Sequence, residues 1–269
     1  MGWEWQPAGP VSLAPMLRAL AGGALFGEVW GASPPEVLVL HGWGRSHQDF
    51  AGVVGPVSPG GALASWAPDL PGFGASPAPT EVWGSADYAA ALIPLLEETG
   101  GPDRPVVVLG HSLGGRVAVA LAAARPDLVR ALVLTGAPLA PRPGGGRKPP
   151  LGYRLARALH RRGILSEARM ERGRQRHGSA DYRAAEGVMR AVLVRLVNES
   201  YEQSLAAIAC PVALVWGEDD SEVPVEVART IAAAVPGTTL TLCPGAGHLT
   251  PLSAPGPLRA AVERFLAPR

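Results

Sequence analysis

The strongest restriction on the fold of this chain is a series of short runs that are apolar on consecutive residues. Val37–Leu40, Val106–Leu109, Ala131–Leu134 and Val212–Val215 are the clearest, with Ala62–Pro68 and Thr239–Leu242 as further members. A strand with one wet face alternates apolar and polar residues, so an unbroken apolar run demands a sheet covered on both faces. Stretches suited to helices lie between the runs. Leu113–Ala124 has no breaker after Gly115, Val225–Val235 is alanine-rich and stopped by Pro236-Gly237, and Pro257–Leu266 opens with a proline that fits a first helical turn. Strands alternating with helices predict an α/β chain with a mostly parallel, doubly wound sheet. At 269 residues, 47% of them hydrophobic, there is enough chain for one substantial core.

The alternation fails between Leu139 and Ala209. That stretch opens with Pro141-Arg142-Pro143-Gly144-Gly145-Gly146-Arg147-Lys148-Pro149-Pro150, a mobile linker by composition, and then reads helical. Within it Val188, Met189, Val192, Leu193, Leu196 and Val197 recur at the spacing of one helix face. The expected organisation is therefore a core of residues 1–138 and 210–269 with an inserted helical cap at 139–209. Residues 1–23, with Pro7, Pro10 and Pro15, suggest an extended lead or a shortened first strand. Pro94 should kink or end the helix at Ala86–Glu98.

Several functional classes are disfavoured by composition. The formal charge of +1 gives no global attraction to nucleic acid or an anionic membrane. Met1–Trp5 lacks the basic lead of a secretory signal, and no apolar run approaches the roughly 20 residues that span a bilayer. Cys210 and Cys243 are too few for a disulfide framework or metal cluster, so a cytoplasmic protein without metal or cofactor is expected, as monomer or homodimer. Lys148 is the single lysine beside 23 arginines, a bias that weakens any argument resting on one arginine.

The sharpest local signal is Gly110-His111-Ser112-Leu113-Gly114, between an apolar run and a helical one. In a chain with 34 glycines G-x-S-x-G alone is weak; the flanking strand and helix give it meaning. A serine on a tight strand-to-helix turn needs glycine two positions to each side, and the helix start supplies N–H groups where an oxyanion would form. A helix-capping serine is the plain alternative. Serine also needs a base oriented by a carboxylate. Gly245-Ala246-Gly247-His248 follows the last strand, and Glu218-Asp219-Asp220-Ser221-Glu222-Val223-Pro224 lies between. The order Ser, Asp, His suits this fold. His47, His160 and His177 stand outside that pattern.

Together these residues resemble the α/β-hydrolase superfamily from about Ala24 to the C-terminus. His41-Gly42-Trp43-Gly44 resembles its oxyanion loop, and Asp69-Leu70-Pro71-Gly72-Phe73-Gly74-Ala75-Ser76 its glycine-rich turn. Gly110–Gly115 resembles the nucleophile elbow, Gly217-x-x-Asp220-x-x-Val223-Pro224 the acid loop, and Gly245–His248 the histidine loop. The resemblance implies Ser112 as nucleophile, His248 as general base and acid, and Asp220 as the orienting carboxylate, with Asp219 as its rival. It also implies an oxyanion hole from the backbone N–H groups of Trp43 and Leu113, and a supporting rather than proton-transferring His41.

A serine nucleophile sets the chain apart from relatives that use aspartate, and implies hydrolysis through an acyl-enzyme. The motifs look like those of carboxylesterases that release pimeloyl from its carrier-protein methyl ester, so a small to medium hydrophobic ester or thioester is expected. Lactonases, carbon–carbon bond hydrolases and perhydrolases share the triad, and a hydrolase-fold binding protein without turnover is a further alternative. Trp43 would wall the acyl site, with Val188 and Val192 lining it or merely packing the cap. Residues 139–209 carry 14 basic against 6 acidic side chains, a balance of +8, which leaves −7 on the remainder. Such a segment would steer an anionic substrate or an acidic carrier protein, or simply complement the acidic body. Cys210 precedes its strand and Cys243 follows the next, so parallel strands hold them about 15 Å apart. Mass spectrometry of native protein is expected to find no Cys210–Cys243 disulfide.

Overall fold

A computed structural model describes residues 17–58, 60–142, 160, 162–164, 166, 169 and 179–267. Pro7, Pro10, Pro15, the linker from Pro143 to Pro150 and His177 lie outside the described residues. The strands are β1 (Leu17–Leu20), β2 (Leu25–Trp30), β3 (Val37–Leu40), β4 (Ser65–Asp69), β5 (Val106–His111), β6 (Val129–Thr135), β7 (Val212–Gly217) and β8 (Thr239–Cys243). They form one sheet in the order β1-β2-β4-β3-β5-β6-β7-β8. The six from β4 to β8 are mutually parallel, and β1 and β2 join antiparallel at one edge.

The unbroken apolar runs have the expected cause. In β5, Val106 and Val108 enter one buried cluster while Val107 and Leu109 enter the other, and β3, β6 and β7 divide the same way. Helices α2 (Ser85–Glu98), α3 (Leu113–Ala124) and α7 (Val225–Ala234) pack on the first cluster. The short α1 (Ala51–Val54) and α9 (Pro255–Leu266) cover the second, and α8 (Thr250–Ser253) leads into α9. Between β6 and β7 the described helices are α4 (Ala180–Ala184), α5 (Gly187–Val197) and α6 (Glu202–Ala206).

Three expectations change, and one element lay outside them: β1, four residues long and mostly exposed, pairs antiparallel with β2 as a hairpin, and its Leu-Arg-Ala-Leu sequence has no strong signal. The fourth strand starts at Ser65, because Leu63 is held outside the ladder by an N–H bond to the Val54 carbonyl. Pro94 lies inside α2 without ending it, since Leu92, Leu95 and Leu96 on either side are buried against the body. In α5, Val192, Leu193 and Leu196 are buried and Val188 and Met189 half-buried, but Val197 is 60% exposed, one step past the end of the stripe.

Polar contacts fix α5 and the turn after it to the body. Glu199 accepts from the Ser85 hydroxyl at 2.6 Å and the Tyr201 hydroxyl at 2.7 Å, and caps the first turn of α2 through the Ser85 N–H. Arg195 pairs with Asp87 at 3.1 Å and donates to the Val82 carbonyl, while Arg116 of α3 donates to the Leu196 carbonyl. Cys210 lies just before β7 and Cys243 ends β8 opposite Gly217, so the two occupy opposite ends of neighbouring parallel strands, both as free thiols. Truncating the fully buried Leu121 to Ala should lower stability by about 3 kcal/mol in urea unfolding, whereas Val197→Ala should stay within about 0.5 kcal/mol.

Candidate active site

The C-terminal ends of β3, β5, β6, β7 and β8 lie at one edge of the sheet, where an open α/β sheet binds its ligands. Ser112 leaves β5 with φ 51° and ψ −109°, a strained backbone for a residue with a side chain, and enters α3 as its N-cap. The flanking glycines are there by close approach. A Cβ on Gly110 would sit 2.6 Å from the Gly114 oxygen, and one on Gly114 would sit 2.1 Å from the Leu40 oxygen. Gly114 donates its N–H to the His41 carbonyl at 3.0 Å, locking the elbow to the loop after β3. The N–H groups of Trp43 and Leu113 have no acceptor among the described residues.

His41 uses both ring nitrogens structurally: Nδ1–H donates to the Gly42 carbonyl at 2.7 Å, and Nε2 accepts from the Leu70 N–H at 2.8 Å. Burial holds it below the usual histidine range. The same loop is braced by Phe73 of the glycine-rich turn, edge-on to Trp43 at 4.9 Å and to His41 at 5.5 Å. Asp69 anchors that turn, with Oδ1 accepting from the His47 N–H and Oδ2 from the Ala75 N–H. Met189 of α5 packs on Gly72, which brings the helix against the turn beside Trp43.

On the far side, His248 Nδ1–H donates to Asp220 Oδ2 at 2.9 Å, and Asp220 Oδ1 accepts from the N–H groups of Glu222 and Val223. Asp220 is buried, whereas Asp219 is exposed and is tied to the Ala246 carbonyl by its backbone N–H. Of the two aspartates, Asp220 is the one that meets His248, and it is also the one that the spacing to Val223-Pro224 favours. Burial disfavours the imidazolium of His248, but the Asp220 hydrogen bond and charge, with the charges of Glu222 and Asp181, outweigh it and raise its pKa above 6.5. Glu222 Oε2 stands 3.6 Å from His248 Nε2.

His111, the residue before Ser112, ties the elbow to the His248 loop. The His111 ring lies 4.9 Å from the His248 ring and donates Nε2–H to the His248 carbonyl at 3.0 Å, and Gly136, with φ 56°, packs against both rings. Burial drives the His111 pKa down to about 3, with the nearby His248 adding to the effect, so this ring stays neutral. Sequence reasoning overlooked His111, Gly136 and Phe73 as parts of the site, and Glu222 and Asp181 as its charges. His111 and Glu222 lay in plain view inside quoted motifs, but spacing does not say where a side chain points. Val188 and Val192 are on the face of α5 that packs on the body, Val192 fully buried.

A cavity of about 660 Å³ adjoins the site and shares Glu222 with it. Its walls include Leu139, Val197, Tyr201, Leu205, Val223 and Val227, with Arg116, Arg142, Glu199 and Glu202 at polar positions. Among the described residues no group of three or more metal-ligating side chains occurs, and no helix is long and apolar enough to cross a membrane.

A strained serine at a strand-to-helix turn, with an Asp–His pair on later loops of the same sheet edge, defines a hydrolase-type α/β architecture. Residues 37–261 match the alpha/beta hydrolase family, and the chain belongs to it. The chain is 32% identical over 251 residues to a pimeloyl-[acyl-carrier protein] methyl ester esterase of Chromobacterium violaceum, covering 85% of this chain and 92% of that one. It is 31% identical over 271 residues to the lipase LipV of Mycobacterium tuberculosis, covering 88% and 95%. Among solved structures, a bromoperoxidase from Bacillus anthracis superimposes with a TM-score of 0.68 at 20% identity over 94% of this chain and 99% of that one. A thermophilic esterase from Thermogutta terrifontis gives 0.64 at 24% identity, covering 94% and 98%. NMR titration of the imidazoles should place His248 above 6.5 and leave His111 uncharged down to about pH 4, near its value of about 3.

Proposed function

We propose that this protein is a serine esterase that cleaves a small to medium hydrophobic ester or thioester through an acyl-enzyme on Ser112. The observation that carries the reading is the strained Ser112 elbow combined with a His248–Asp220 pair on neighbouring loops of one sheet edge. His248 takes the Ser112 proton at Nε2 while Asp220 holds its other nitrogen, so attack on the carbonyl leaves a neutral hydroxyl's proton on the imidazole. The N–H groups of Trp43 and Leu113 receive the oxyanion, a role supported by their having no acceptor among the described residues. The imidazolium then gives that proton to the departing oxygen or sulfur as its bond to the carbonyl carbon breaks, so that an alcohol or thiol leaves and the acyl group stays on Ser112. Water, activated by the regenerated base, releases the acid. Each step uses residues of this chain alone.

Residues 139–209 act in this reading as a cap, with the part from α5 to Tyr201 fixed to the body through Arg195, Arg116 and Glu199. Likeness to the pimeloyl carrier-protein esterases supports an acyl group presented on an acidic carrier protein, and the basic balance of the segment agrees with such a partner. Ser112→Ala and His248→Ala, assayed on short p-nitrophenyl esters, should each lose at least about a thousandfold in kcat/KM. Wild-type protein, but not Ser112→Ala, should be labelled by a fluorophosphonate probe. Hydrolysis or labelling that survives Ser112→Ala would refute the mechanism.

A further inference from the structure

The surroundings of His248 have a charge that the segment's overall balance does not foretell. From the loop after β7 come Asp220 at Nδ1 and Glu222 at Nε2; from α4 comes Asp181; from the end of β5 comes the neutral His111. Asp220 is buried and fully engaged by one imidazole N–H and two backbone N–H groups. Glu222 differs. Its side chain is 68% exposed, its own backbone N–H is spent on Asp220, and its carboxylate stands free to meet Nε2, the nitrogen that faces the reaction.

Glu222 also lines the neighbouring cavity, where Glu199 and Glu202 bring the carboxylates to three against the guanidiniums of Arg116 and Arg142. Arg116 is held by the Leu196 carbonyl and the Tyr201 ring face and Arg142 by the Ser221 carbonyl, neutral partners that fix the guanidiniums in place and leave the wall one carboxylate in excess. The leaving oxygen must come within about 3 Å of Nε2 to take its proton, which puts the leaving group within about 7 Å of the Glu222 carboxylate. That is inside one Debye length at physiological salt, so the charge is felt there.

We propose that Glu222 is a positioning and charge-selecting residue: its carboxylate pairs with the imidazolium of His248 at Nε2, and the same charge makes the site prefer esters with neutral or cationic leaving groups over anionic ones. This rests on the serine-esterase reading of Ser112 and His248. The pairing favours the protonated ring, so the neutral base appears only at higher pH, and the acid limb of kcat/KM sits above the usual histidine range. A carboxylate beside the leaving group attracts positive charge and repels negative charge. The basic balance of residues 139–209 would then act at a distance on a carrier, and not on the atoms next to the serine.

The test compares wild type with Glu222→Gln and Glu222→Asp. Glu222 is exposed, and its structural contact is through its backbone, so both variants should fold as wild type by circular dichroism. Two readouts are taken: the His248 pKa by NMR, and the ratio of kcat/KM for the butyrate esters of 4-(trimethylammonio)phenol and 4-hydroxybenzoate. In Glu222→Gln the His248 pKa and the acid limb should fall by about half a unit, and the ratio should fall about threefold. Glu222→Asp should recover part of both. Either quantity remaining at its wild-type value in Glu222→Gln overturns the proposal. Turnover that persists in Ser112→Ala would instead overturn the serine reading, while a silent Glu222→Gln in an enzyme that Ser112→Ala inactivates overturns this inference alone.

Discussion

Everything at the active edge depends on how closely α3 approaches β3. Gly114 comes so near the Leu40 carbonyl that a methyl group would overlap it, and the same glycine donates its N–H to the carbonyl of His41. That contact welds three things together: the end of β3, the start of α3, and the loop carrying Trp43. The strain at Ser112 is held by this packing, since a residue at φ 51° persists only where its surroundings over-determine it. The side chain is thereby presented at the sheet edge, beside the Leu113 N–H, which has no acceptor among the described residues.

One residue type serves three purposes within this small region because burial and partners differ. His41 has both nitrogens bonded and carries a loop. His111 is sealed between the elbow and the His248 loop, with Nδ1 unpartnered among the described residues, and burial keeps it neutral. Of these three, His248 is the one that combines partial exposure with a carboxylate partner, and it is held above its ordinary value. A buried carboxylate bonded by two backbone N–H groups is a fixed charge, and it serves to orient and charge one ring.

Among the described residues, the segment between β6 and β7 meets the body in two ways. Its apolar stripe continues the main core through Val192 and Leu196, while the Ser85–Glu199–Tyr201 cluster fixes its direction by hydrogen bonds that apolar packing lacks. Met189 against Gly72 extends this register to the turn that braces Trp43. Three arginines of the segment are tied to fixed partners: Arg195 to Asp87, Arg190 to the Ala185 carbonyl and Arg142 to the Ser221 carbonyl. Net charge along a stretch of sequence is thus a poor guide to the potential at one atom.

The sequence by itself determined the central strands, most of the helices and the strand-to-helix turn at Ser112, and it singled out Ser112, Asp220 and His248 as candidates. These features are local: two-sided burial writes unbroken apolar runs, and a tight turn writes its glycines at set offsets. The hairpin of β1 and β2 left no such trace, because an edge strand such as Leu17–Leu20 is mostly exposed and alternates weakly. Only the tertiary structure placed Phe73 behind Trp43, His111 and Gly136 beside His248, and Glu222 at Nε2. Those contacts join residues from 25 to 137 positions apart in different loops, and their energies depend on side-chain direction and burial, which a one-dimensional pattern does not encode.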